Sequence, residues 1–144
     1  MAYSKIIVPL DGSPIARRAL LDAVNLARIA DGVVRLVTVI ETPVMQLEGY
    51  GEVVGTLDVH EMLKEKYTEM LKDEALKLKN QGIRAEWEIM EGHPHEEIVK
   101  ACQDNGADMV VMTTHGRTGI AHFIMGSVAE RVVRSAPCPV LIVR

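Results

Sequence analysis

A chain of 144 residues holds one domain with a real core and leaves little room for a second. About half of it is apolar and a quarter charged, the balance of a globular protein, and a formal net charge of −4 argues against a broad nucleic-acid face, which needs surplus Lys and Arg. No run of about eighteen apolar residues occurs, the opening MAYSKIIVPL lacks a signal-peptide layout, and Cys102 and Cys138 form no CxxC and read as reduced thiols. No membrane partner and a cytoplasmic location are therefore expected.

In chain order, "SKIIVPL" is a β-branched apolar run, and Pro9 suits its end. "DGSP" is a turn, with Ser13 placed to cap a helix and Pro14 at its first position. Apolar residues at 16, 19, 20, 23, 24, 27 and 30 form a helical stripe, closed by Gly32 as a C-terminal cap. "VVRLVTVI" is a second strand. Glu41 to Thr56 has no clear period and is long for a connection, so it reads as either a functional flap or a mobile segment. Leu57 to Gly82 is the longest helical pattern, with Asp58 at its start and Gly82 at its stop.

"IRAEWEIM" alternates strictly, with Arg84, Glu86 and Glu88 on one face, which places it at a sheet edge. "HPHEEIVKACQDNG" is a helix ending at Gly106, and the nearly all-apolar "DMVVMTT" is a central strand. "SVAERVVRSA" is a short helix and "PVLIV" the last strand. Strict alternation of five strands and four helices predicts one α/β domain over residues 1–144, with a parallel sheet and right-handed crossovers.

The chemistry concentrates in "THGRTGIAHFIMGS", residues 114–127. In open α/β sheets, ligands bind outside the C-terminal strand ends where the strand order reverses. Two loops qualify: Leu10 to Ser13, and His115 to Gly126. Gly116 and Gly119 let the backbone approach an anion, Arg117 adds charge, and Gly126-Ser127 open a helix whose free N–H groups attract phosphate. The plainer alternative makes Ser127 an N-cap and the glycines ordinary loop residues. Neither GxxxxGK[ST] nor GxGxxG occurs. His93 and His95 lack the spacing that aligns metal ligands on a helix, and no metal-ligating or catalytic residue is expected.

From "VPLDGS" through "EGHPHEEIVKACQDNGADMVVMTTHGRTGIAHFIMGSVAERVVRSAPCPVLIVR", the chain resembles the universal stress protein family over nearly its whole length. The nucleotide-binding members carry Gly, two residues, Gly, nine residues, then Gly-Ser or Gly-Thr. Here Thr113 stands in the first position, followed by Gly116, nine residues, and Gly126-Ser127. The resemblance implies a doubly wound five-stranded sheet in the order 3-2-1-4-5 with helices on both faces. It implies ATP or a related adenine nucleotide with Mg²⁺ or Mn²⁺, and a homodimer through the last strand.

By the same resemblance Asp11 meets the ribose hydroxyls, Pro9 and Leu10 line the pocket, and the Val39 backbone meets the adenine. Thr113, Gly116, Gly119, Gly126, Ser127 and Val128 surround the phosphates and ribose. The functions implied are a nucleotide-dependent regulatory switch of the stress response with an unknown protein partner, or a slow ATPase or nucleotidyl-transfer enzyme. A dimeric interaction protein without nucleotide is the third.

Overall fold

The computed structural model of the protein describes residues 3–41, 54–115 and 125–144. The strands are β1 (Lys5–Pro9), β2 (Val33–Ile40), β3 (Arg84–Glu91), β4 (Met109–Thr113) and β5 (Val140–Val143). The helices are α1 (Ala16–Ala30), α2 (Val54–Asn80), α3 (Pro94–Asn105) and α4 (Ser127–Ser135). All strand pairs are parallel, in the order β3-β2-β1-β4-β5 that the family resemblance implied.

The apolar residues divide into two cores, one on each side of the sheet. On one side, Ala19, Leu20, Ala23 and Ala27 of α1 join Leu71, Ala75 and Leu78 of α2 over Ile6, Val8, Val34 and Leu36. On the other, Ile98, Ala101 and Cys102 of α3 join Ala129 and Val132 of α4 over Ile7, Val37, Val110 and Met112. Strands β1 and β4 have buried residues facing both cores, which is why they read as nearly unbroken apolar runs.

Strand β3 is an edge, as its charges predicted. Arg35 of β2 gathers Glu86 and Glu88 beside it, at 2.5 and 3.1 Å. Met90 shares the face of Glu88 yet is buried against the α3 core, so the polar face closes toward the strand's C-terminal end.

Three local expectations are corrected. Helix α2 starts at Val54, not at Leu57, and so takes in Gly55, Thr56 and Asp58. Residues 42–53, the rest of the proposed flap, lie outside the described residues. Helix α1 ends with Asp31, not Gly32, in the left-handed conformation. Gly32 has another reason: a Cβ there would lie 2.7 Å from the Ser4 carbonyl oxygen. Pro14 sits in the turn before α1 and Ile15, not Ser13, is the N-cap, although the Ser13 Oγ accepts from the Ala16 N–H at 3.3 Å.

Candidate functional site

The strand order reverses between β1 and β4, where both strands end beneath a cleft of about 570 Å³. Two hydrogen bonds fix the exit of β1: the Leu10 N–H donates to the Val37 carbonyl at 2.8 Å, and the buried Thr38 hydroxyl donates to the Leu10 carbonyl at 2.8 Å. Asp11 follows at the cleft wall. Its Oδ1 accepts the Ser13 N–H at 2.9 Å, which holds the carboxylate in an Asx turn over Gly12, whose φ is +84°.

Across the cleft, β4 ends at Thr113. Its backbone is extended, its side chain is buried, and its hydroxyl donates to the His115 carbonyl at 2.9 Å. The chain returns at Gly126, whose N–H donates to the Thr114 carbonyl at 2.8 Å. Gly126, and not Ser127, is the N-cap of α4, and its φ of −60° is open to any residue. What requires glycine is the close approach: a Cβ would sit 2.6 Å from the Thr114 oxygen. Ser127 is the first residue of the helix and is exposed, so its hydroxyl is not consumed in capping.

The sequence-designated residues Pro9, Leu10, Asp11, Val39, Thr113, Gly126, Ser127 and Val128 all line this one cleft. Gly116, Arg117 and Gly119 lie outside the described residues. His115 is at the wall too, its Nδ1 3.1 Å from the Thr114 hydroxyl.

The sequence reading missed the walls that α2 and α3 supply. Leu63 and the buried Tyr67 come from α2, Ile98 from α3, Met112 from β4 and the exposed carboxylate of Glu41 from the end of β2. The spacing of Leu63, Tyr67 and Leu71 marks one helix face but not which part of it overhangs the cleft. Together these residues make an apolar chamber floored by strand ends, with Asp11 at one wall and the α4 N-terminus at the other. The helix start supplies N–H donors and the positive dipole end. Such a chamber suits a flat apolar ring joined to a hydroxylated and anionic group.

The profile of the universal stress protein family matches residues 2–144. Universal stress protein MJ0531 of Methanocaldococcus jannaschii is 38% identical over 145 residues, spanning 99% of this chain and 82% of the relative. MJ0577 of the same organism is 30% identical over 154 residues, spanning 99% and 95%. The solved structure of MJ0577 superposes with a TM-score of 0.87 at 30% identity, over 99% of this chain and 96% of that one. A universal stress protein from Archaeoglobus fulgidus, solved in complex with dAMP, shares the fold at 23% identity and a TM-score of 0.69, over 100% of both chains. Profile, relatives and fold agree along the chain, which belongs to the universal stress protein family.

Proposed function

We propose that the cleft binds an adenine nucleotide, ATP with Mg²⁺ or Mn²⁺, and that the protein acts as a dimeric nucleotide-dependent regulator of a stress response. The observation that carries this reading is the convergence of distant segments, Pro9 to Asp11 with Thr113 to His115 and Gly126 to Val128, on one cleft at the strand-order reversal. The dAMP complex of the A. fulgidus relative supports the ligand class. The adenine lies among Val39, Ile98 and Met112, the ribose against Asp11, and the phosphates at the start of α4.

Among the described residues no group of three His, Cys, Asp or Glu converges on a cation site. The metal is therefore held mainly by phosphate oxygens and water, as Mg²⁺ commonly is, with the Ser127 hydroxyl within the phosphate end of the cleft. Among the described residues His115 Nδ1 meets the Thr114 hydroxyl and no carboxylate that would orient it as a base, which favours binding over hydrolysis. The dimer forms through β5, the second edge of the sheet, where Leu141 is 37% exposed.

Titration calorimetry with Mg-ATP and with inorganic triphosphate tests the reading. Asp11→Asn keeps an acceptor for the Ser13 N–H but removes the charge, and Asp11→Ala removes both. Each should weaken ATP about tenfold or more while leaving triphosphate nearly unchanged. Equal weakening of both ligands would move Asp11 away from the ribose. No binding of any adenine nucleotide by the wild type would leave the interaction protein without nucleotide as the answer.

A further inference from the structure

Cys102 lies in the last turns of α3 and is 1% exposed. Cys138 lies between α4 and β5, is half-buried, and packs against the core cluster that contains Cys102. The backbone brings both to the start of β4. The Ala107 N–H donates to the Cys102 carbonyl at 3.0 Å, and the Val110 N–H donates to the carbonyl of Pro139, next to Cys138, at 3.0 Å. Both side chains thus belong to one packed cluster, and each thiol influences the titration of the other. Both are free thiols here.

We propose that Cys102 and Cys138 are a reversible oxidation site, closing an intramolecular disulfide when the protein meets a hydroperoxide. The more exposed Cys138 attacks as the thiolate. Its sulfur bonds to one peroxide oxygen, the O–O bond breaks, and the other oxygen leaves as an alcohol or water after taking a proton. The sulfenic acid on Cys138 is then attacked by Cys102. The S–S bond forms as the S–O bond breaks, and the released hydroxide takes the Cys102 proton as water. Two thiols lose two electrons and two hydrogens, and the hydroperoxide is reduced to an alcohol (or water) and one water.

Burial, aided by the neighbouring Cys138, pushes the Cys102 thiol up to about 12. Burial also raises Cys138, with the charge of Asp108 adding to it and the Cys102 hydrogen bond opposing it. Little thiolate is present near neutrality, so oxidation is slow there and accelerates about tenfold per pH unit. A slow pair of this kind answers sustained exposure and not a brief pulse. The bond encloses β4 and α4 in one covalent ring, which constrains the unfolded chain and raises the melting temperature. The inference does not depend on what the cleft binds.

The test exposes the reduced, full-length protein to hydrogen peroxide at mildly alkaline pH and follows intact mass, non-reducing peptide maps and melting temperature. The expected product is a monomer lighter by two hydrogens, with the Cys102 and Cys138 peptides linked, a higher melting temperature, and full reversal by dithiothreitol. Cys102→Ala should instead accumulate a sulfenic acid on Cys138 that dimedone traps, several-fold more than in the wild type. Disulfide-linked dimers through Cys138, sulfinic acid on Cys138 with Cys102 untouched, equal dimedone trapping in both proteins, or an unmodified wild type would each overturn the proposal. The wild-type maps decide the matter even if the variant fails to fold.

Discussion

Replacing Gly126 with alanine isolates the neck at which the glycine-rich segment leaves β4 and returns to α4. The added Cβ would start 2.6 Å from the Thr114 carbonyl oxygen, which must retreat by about 0.8 Å to reach the 3.4 Å lower edge of ordinary contact. That oxygen also accepts the Gly126 N–H at 2.8 Å, so the same retreat breaks the hydrogen bond that closes the neck. The lost bond costs about 1 kcal/mol and the forced backbone shift about 1–2 more, giving roughly 2–3 kcal/mol. For a domain of this size the melting temperature should fall by about 6–10 °C in differential scanning calorimetry.

Gly82 supplies the control, because its φ of +79° is left-handed and a Cβ there meets nothing within 4 Å. Gly82→Ala should cost about 1 kcal/mol, and Gly82→Asn less, because asparagine tolerates that conformation. At Gly126 asparagine should be no better than alanine, since the obstacle is an atom and not a dihedral. Loss of less than about 0.5 kcal/mol for Gly126→Ala, the range of ordinary surface changes, would refute the steric argument.

At the other end of the sheet, Asp108 Oδ2 accepts from the Ser4 N–H, the Ser4 hydroxyl and the Lys5 N–H, and these donors hold its carboxyl below the ordinary 3.8. The resulting stability is present above 3.8 and is lost as pH falls through the lower native value. Asp108→Ala should therefore be less stable than wild type by about 1 kcal/mol near neutrality, with the gap narrowing in urea titrations below that window. The buried Glu74 is shared by Arg17 at 3.1 Å and Lys77 at 3.4 Å. Arg17→Ala alone should be nearly silent, whereas Arg17→Ala with Lys77→Ala should cost more than the sum of the singles in a double-mutant cycle. In the cleft, Thr113→Gly should change the Mg-ATP dissociation constant less than about tenfold and Gly126→Val more, by calorimetry on folded variants. Leu141→Lys with Val143→Lys should yield monomers in sedimentation, and a wild type already monomeric at high concentration would remove the proposed dimer.

The fold was legible because its signals are local and repeated. The alanine-rich stripe of α1, the unbroken apolar run of β4 and the charged alternation of β3 each state what lies on their faces. The strand order as a whole came from family resemblance, although Arg84, Glu86 and Glu88 alone assigned β3 to an edge. The cleft was legible only along its rim, where glycine, proline and serine mark the turns. Tyr67 and Leu63 were invisible as cleft residues, because an amphipathic helix reports which face is buried and not what that face covers. Gly126 and Gly32 show a second limit. Sequence marks a glycine, but only coordinates reveal that the reason is a carbonyl from a distant or returning segment and not a positive φ.

The two margins of the sheet differ in chemistry. β3 is fenced by Arg84, Glu86 and Glu88, while β5 offers Val140–Val143 with a partly exposed apolar face. If the proposed dimer forms through β5, then in the language of polymerisation the molecule has a functionality of one. A monomer adhesive along both margins would add copies without limit and grow into a ribbon, the route by which unprotected sheets become fibres. With one adhesive margin, the first pairing consumes the only growth point and terminates the chain. In such a dimer the charges on β3 would act as an end-stop on assembly size, and neutralising them while β5 remains intact is the change that would open this fold to fibril growth.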